Sequence, residues 1–215
     1  MSQVSIQEAL EWRYAVKRFD PIKKISDADW KTLTESLKLS PSSFGLQPWR
    51  FMIVDSMAMR EKLKGPSTYN VSQIMDSSHY VVLTYKEKID PEFINQYIER
   101  ISEVRGVSLE SLEGFRNSMT ESLVVGPRSQ TIEAWAQRQT YIAMGFLMET
   151  AALLKVDSCP IEGIDPHAYD DILGLTGTGW KTLGCVALGY RHPEDKYQHL
   201  KKVRFADDVL FKYVK

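Results

Sequence analysis

Cysteine is nearly missing from this 215-residue sequence: Cys159 and Cys185 are the only two. Two cysteines in a chain of this length make no disulfide framework, so a reducing compartment is the simplest reading. Neither sign of charge is in excess, with 27 lysines and arginines against 28 acidic residues and a formal net charge of −1. Nucleic acid and anionic membrane surfaces both require a dense positive field, and this balance excludes them as main partners. Long apolar runs are lacking too, since no window approaches the ~18 residues of a spanning helix. The opening stretch MSQVSIQEALEWR has no basic start followed by an apolar run, so no signal peptide is expected and the sequence reads as soluble and cytoplasmic. The histidines, His79, His167, His192 and His199, show no HExxH or paired-ligand spacing, which argues against a metal site. There is no Walker lysine pattern. Gly174-Leu175-Thr176-Gly177-Thr178-Gly179 precedes a strand, whereas a pyrophosphate loop would open a helix.

Aromatic residues are plentiful, with five Trp, ten Tyr and eight Phe, enough to build a core or to wall a flat ligand. Ser5-Ile6-Gln7-Glu8 has the capping-box pattern and starts a helix running to about Tyr14. Ser26 opens a second helix, in which Trp30, Leu33 and Leu37 recur at helical spacing until Pro41 stops it. Phe51–Val54, His79–Tyr85 and Leu183–Leu188 read as short buried strands. Pro91–Val104 reads as a helix, Ser108–Val125 as an amphipathic one, and Asp165–Gly174 as a short one. The strongest helix runs from Thr131 to Lys155 and is apolar on most sides, which places it in a core or a subunit interface. From Arg191 onward the tail is charged and has little core of its own. Few scattered strands among many helices predict an α+β protein, a small sheet inside a helical shell, with no domain linker.

Four segments carry chemistry-bearing residues. Arg13, Lys17 and Arg18 near one end, and Lys201, Lys202 and Arg204 near the other, form two basic clusters suited to a phosphate dianion. Taken singly, each is as well read as a solvated surface. The loop Pro41-Ser42-Ser43-Phe44-Gly45-Leu46-Gln47-Pro48-Trp49 offers hydroxyls, a glycine for close backbone approach and two aromatics, or serves only as a connector. Cys159-Pro160-Ile161-Glu162-Gly163-Ile164 offers amides and an apolar pair to a heteroaromatic ring, or is a plain turn.

Taken in order, these segments resemble the FMN-dependent nitroreductase family, in its oxygen-insensitive bacterial NAD(P)H branch, close to the dihydropteridine reductases. Arg13-Tyr14-Ala15-Val16-Lys17-Arg18-Phe19-Asp20 follows the opening pattern of that family. Ser40-Pro41-Ser42-Ser43 through Gln47-Pro48-Trp49 is its most recognisable string, and Tyr69-Asn70, Pro160-Ile161-Glu162-Gly163 and Lys202-Val203-Arg204 complete the series. The resemblance implies one domain over residues 1–215, with an excursion at about 91–127 over the active site. The fold it implies is a small mixed or antiparallel sheet surrounded by helices, in an intertwined homodimer.

The resemblance also assigns roles. Arg13, Lys202 and Arg204 would hold the FMN phosphate, with the backbone of Tyr14 and Ala15 nearby. Lys17 would stabilise negative charge at the pyrimidine edge of the flavin, with Asn70 on the same edge. Pro160 and Ile161 would pack on one ring face, and the Glu162–Gly163 amides would approach N5. Pro41, Ser42, Ser43 and Gly45 would reach the flavin of the other subunit. Gln73 stands where the branch carries a second lysine beside the ring, Gly45 where it often has Asn, and Ala15 where it often has Ser. Phe44, Tyr69, Phe115 and Met119 would border the substrate. No side chain is required as acid or base. The activity implied is ping-pong transfer of two electrons from NAD(P)H to nitroaromatics, quinones or similar small aromatic acceptors. Rival readings on the same fold are a flavin, dihydropteridine or enone reductase; a rival of another class is a protein that stores FMN without turnover.

Overall fold

The computed structural model describes residues 5–67 and 69–214; residues 1–4, part of the opening stretch discussed above, lie outside it with 68 and 215. Helix α1 (Ile6–Trp12) begins on the expected capping box: Ser5 Oγ accepts from the Glu8 amide at 3.2 Å, and the Glu8 carboxylate accepts from the Ser5 amide at 2.9 Å. It stops at Trp12, short of Tyr14, because the chain turns extended at Arg13 and runs along the sheet edge, where Ala15 bridges Ser158. Helix α2 (Asp27–Lys38) is capped by Ser26 and buries Leu33 and Leu37.

Four strands form one sheet: β1 (Trp49–Ile53), β2 (His79–Lys86), β3 (Asp157–Ile161) and β4 (Trp180–Gly189), in the order β1-β2-β4-β3 with every neighbour antiparallel. Alternate residues face opposite sides. Val81, Leu83, Val186 and Leu188 pack with Leu33, Leu37 and residues of the long helix α7 (Ile132–Leu153). Tyr80, Val82, Cys185 and Ala187 pack on the other side with Leu63 of α3 (Met57–Lys64), Ile74 of α4 (Val71–Asp76) and Tyr169 of α8 (Pro166–Leu173). Both faces are therefore dry, which is why the central strands are apolar throughout instead of alternating.

Helices α3 and α4 and strand β3 have no counterpart among the sequence expectations. Strand β3 contains Pro160, which pairs with Val186 and sits at the sheet edge, where a missing amide is tolerated. Helix α3 is short and mostly polar, and its anchor is a charge. Arg60 is buried and donates to the carbonyls of Val54 (3.1 Å), Ile74 (3.2 Å), Ser77 (2.6 Å) and Ser78 (3.0 Å), stitching α3 to α4 and to the start of β2.

The excursion is α5 (Pro91–Arg105) followed by α6 (Glu113–Thr120). The stretch 108–125, expected as one amphipathic helix, is instead a 3₁₀ turn at Glu110–Leu112, then α6, then a wide π turn at Glu121–Val125. The π turn closes at Gly126, whose amide donates to the Glu121 carbonyl at 2.7 Å; a Cβ there would lie 2.7 Å from the same oxygen. Ile94, Ile98, Ile101, Met119 and Leu123 build a separate core against Trp135 and Ala136 of α7. After β4 the chain runs through a 3₁₀ turn at Lys196–His199 to the short helix α9 (Asp207–Leu210). Among the described residues no helix is long and apolar enough to cross a membrane.

Candidate functional site

The end of α1 delivers Arg13 to a cleft of ≈420 Å³, lined on one side by Glu11 to Ala15 and on the other by the C-terminal segment with Lys202 and Arg204. Arg13 of one basic cluster thus meets Lys201, Lys202 and Arg204 of the other, while Lys17 and Arg18 lie outside the cleft. Lys202 Nζ donates to the Arg13 carbonyl. The Arg13 guanidinium is pushed below its ordinary pKa first by burial and then by Arg204, and Lys202 first by burial and then by Arg13 and Arg204. None of the three forms an ion pair among the described residues, although Glu11 lines the same cleft. Arg13 Nε is buried and has no hydrogen-bond partner. Three cations that raise one another's energy, with a buried donor left over, suit a multiply charged anion.

A second group lies along the edge of β3. Val16 N donates to the Ser158 carbonyl at 3.2 Å, which aligns Ala15–Lys17 beside the strand. The Lys17 carbonyl accepts from Ser72 Oγ at 3.4 Å, and Asn70 Nδ2 donates to the Gly163 carbonyl at 3.5 Å. Gly163 is closely approached, since a Cβ there would meet Asn70 Nδ2 at 3.0 Å. Asn70 is thus joined to the Gly163 turn, and Ser72, two residues on, approaches the Lys17 main chain. Glu162 projects from the same turn and accepts from the Tyr141 hydroxyl, whose pKa is pushed up to about 12 by burial and then by that carboxylate. Gln73 is buried, its amide oxygen accepting from Ser72 at 3.1 Å, and lies beneath the group rather than on it. Ile161 departs from its expected role. Its side chain is buried in the core with Val16, Leu63 and Tyr169, because β3 turns alternate residues inward, so only its main chain can meet a ligand. Pro160 stays half-buried and Tyr69 is exposed.

The loop after α2 is held in an uncommon shape. Phe44, Gly45 and Gln47 have φ of 61°, 72° and 52°. A bulky residue such as Phe44 takes this region only under constraint. The constraints are visible: Ser43 N donates to the buried Gln139 Oε1 at 2.8 Å, and Tyr97 of α5 donates to the Phe44 carbonyl at 3.1 Å. A Cβ on Gly45 would stand 2.4 Å from the Tyr97 hydroxyl, which accounts for glycine there. Phe44 and Phe115 pack against each other tilted by 55°, with 6.1 Å between ring centroids. Met119, expected at the substrate, is fully buried in the excursion's core and offers no surface to a ligand. Within one chain, none of Pro41, Ser42, Ser43 and Gly45 lines the cationic cleft.

Sequence reasoning passed over the segment after β4. Arg191 forms a bidentate ion pair with the buried Asp157 (2.6 to 3.0 Å) and lies 4.2 Å from the Trp12 ring centroid and 4.6 Å from that of Tyr14. Asp195 is 2% exposed and accepts from both ends of this region. In the sequence both stand in a polar run without periodicity. The one local sign is that an aspartate precedes a short turn, where it accepts from the Tyr197 amide at 3.0 Å.

Residues 10–190 match the Nitroreductase family. A protein of Staphylococcus saprophyticus that bears the name NAD(P)H nitroreductase is 34% identical over 218 residues, covering 99% of this chain and 98% of its own length. Among solved structures, a nitroreductase in complex with FMN from Exiguobacterium sibiricum superimposes with a TM-score of 0.83 at 18% identity, covering 100% of this chain and 99% of that one. A gut-bacterial enone reductase of fatty acid saturation metabolism superimposes with a TM-score of 0.81 at 19% identity, covering the whole of both chains.

Proposed function

Since the chain belongs to the nitroreductase family, we propose that it is an FMN-dependent NAD(P)H oxidoreductase with small aromatic acceptors such as nitroaromatics and quinones, active as a homodimer. The observation that carries this reading is the triad Arg13, Lys202 and Arg204 around a cleft, with Arg13 Nε buried and unpartnered. Those residues suit the flavin phosphate, while the Tyr14–Ala15 backbone flanks it.

When bound, FMN would supply two-electron transfer chemistry between a nicotinamide and the acceptor, in a ping-pong order. The residues of the chain bind and tune. Lys17, exposed and without an ion pair among the described residues, would favour electron arrival at the pyrimidine edge of the flavin. Pro160 and the Glu162–Gly163 main chain border the ring. Phe44 and Phe115, packed against each other at a tilt, would offer an apolar border to an aromatic acceptor. No side chain is assigned as acid or base, because solvent can supply protons. Residues 41–45 do not line the cleft of their own chain, which supports their serving the site of a second copy.

The test is an absorbance spectrum of the desalted protein followed by anaerobic NADPH. Flavin bands that bleach on addition are expected. Arg204→Ala should weaken FMN binding on the order of tenfold to a hundredfold, the loss of one charged hydrogen-bonding contact. A colourless protein that takes up no added FMN, or an Arg204→Ala variant with undiminished affinity, would overturn the reading.

A further inference from the structure

Asp195 is buried, yet Lys17, whose amide it binds, makes no ion pair with it or with any other described carboxylate. Its oxygens are already occupied. Oδ2 accepts from the Lys17 amide at 2.8 Å, the Arg18 amide at 3.1 Å and the Tyr14 hydroxyl at 3.2 Å, and Oδ1 accepts from the Tyr197 amide at 3.0 Å. A carboxylate has about four lone-pair sites, so these donors fill it. Burial alone would raise its pKa; the amides of Lys17, Tyr197 and Arg18 and the Tyr14 hydroxyl hold it below the ordinary value, so it stays ionised and keeps its grip.

The consequence for Lys17 is specific. Its N–H is held by Asp195 at 2.8 Å, with the Ser72 hydroxyl, which it shares with Gln73, 3.4 Å from its carbonyl. On its flanks, Val16 N is tied to Ser158 at 3.2 Å and the Arg18 carbonyl accepts from His192 N at 2.9 Å. The side chain is exposed and its ammonium is not neutralised. A carboxylate beside a lysine usually quenches that charge; this one binds the main chain and leaves the charge to act elsewhere.

We propose that Asp195 is the positioning residue of the site, fixing the Lys17 main chain so that an unquenched ammonium faces the pyrimidine edge of the flavin. This rests on the role given to Lys17 under the proposed function. The two ways Asp195 can act on the flavin have opposite signs, which makes the proposal sharp. As a mere nearby negative charge, Asp195 disfavours added electrons, and deleting its charge raises the flavin midpoint potential. As the anchor of Lys17, it favours them, and deleting it lowers the potential.

The experiment is an anaerobic redox titration of the FMN-loaded, full-length protein carrying Asp195→Asn, Asp195→Glu, Lys17→Ala, and Lys17→Ala with Asp195→Asn. The expected result is a lower midpoint potential in Asp195→Asn and in Lys17→Ala, with no further fall in the double variant, because both changes act through one cation. NADPH reduction of the bound flavin should slow on the order of tenfold in Asp195→Asn, the scale of a modest misplacement. Hydrogen exchange at the Lys17 and Arg18 amides should quicken. Asp195→Glu keeps the charge while displacing the acceptor, so it provides a folded variant if the amide substitution unfolds the chain, and its potential should fall too. An unchanged or raised potential in both Asp195 variants, or fully additive effects with Lys17→Ala, overturns the anchoring role. If Lys17→Ala alone leaves the potential unchanged with FMN still bound, the role of Lys17 has failed and this proposal with it. A protein that binds no FMN fails one level earlier, at the proposed function.

Discussion

His79 shows how one side chain ties stability to pH. Its ring stacks on Trp30 at 4.0 Å between centroids and 21° between planes, and its Nδ1 pairs with Ser78 Oγ at 3.0 Å. Half-buried, it is pushed below its ordinary value of 6.5, first by burial, with Arg60 and Lys24 adding and Asp55 and Asp27 opposing. Below pH 6.5 the unfolded chain therefore takes up a proton that the folded chain resists. Stability that is complete above that point is lost as the pH falls through the lower folded value. Urea midpoints should drop between pH 7.5 and pH 5.5, and His79→Phe, which retains a stack on Trp30, should drop less; equal losses in both proteins would show that His79 is not the titrating group. Such effects were not legible in the sequence, where His79 is one polar residue at the start of a strand. Arg13 was legible only through resemblance, because a lone arginine in a sequence cannot be told from a solvated one. Its role becomes physical once Lys202 and Arg204 are seen across the cleft.

At the scale of elements, the loop after α2 and the helix α5 behave as one unit. Gly45→Ala should destabilise the chain by about 1–3 kcal/mol, combining a left-handed φ with a Cβ that displaces the Tyr97 hydroxyl from the Phe44 carbonyl. Tyr97→Phe removes that hydroxyl, so in its presence the Gly45→Ala penalty should shrink toward the dihedral part alone. Denaturant midpoints of the two single variants and the double variant measure the coupling; strict additivity would sink it. The glycine itself was visible in the sequence as a departure, but its cause was not, since the tyrosine lies on the excursion. Elements with strong local signals were legible: the Ser5 capping box, the apolar spacing of α2 and the near-continuous apolarity of α7. Helices α3 and α4 were not, for α3 is anchored by the buried Arg60, a residue whose type argues for the surface. Strand β3 was hidden by Pro160, which is permitted there only because β3 lies at the edge of the sheet.

Over the whole molecule, apolar surface is concentrated on α1, α7 and the tail. Ile142 and Phe146 of α7 are 40% and 43% exposed, and they share a groove with Leu10 of α1. Phe205, Val209, Phe211 and Tyr213 are more exposed still. A patch of this kind on a chain with a well-built core marks a protein interface. Phe146→Glu should shift the protein toward monomer in sedimentation and release flavin in step with dissociation; monomers that keep their flavin would refute a site shared between copies. The sequence announced α7 as apolar nearly all round. It did not say which side meets the sheet and which stays exposed with Ile142 and Phe146, because both sides are apolar.

The cationic cleft takes Arg13 from near the start of the sequence and Lys202 and Arg204 from far along it. A ribosome builds the chain in that order, so the sheet and its helices can be complete while the cleft still has one wall. Asp195, which fixes the segment carrying Lys17, is likewise added after all four strands. On the proposed function, cofactor loading would be confined to chains whose synthesis has passed Arg204, and a product truncated earlier should carry no colour.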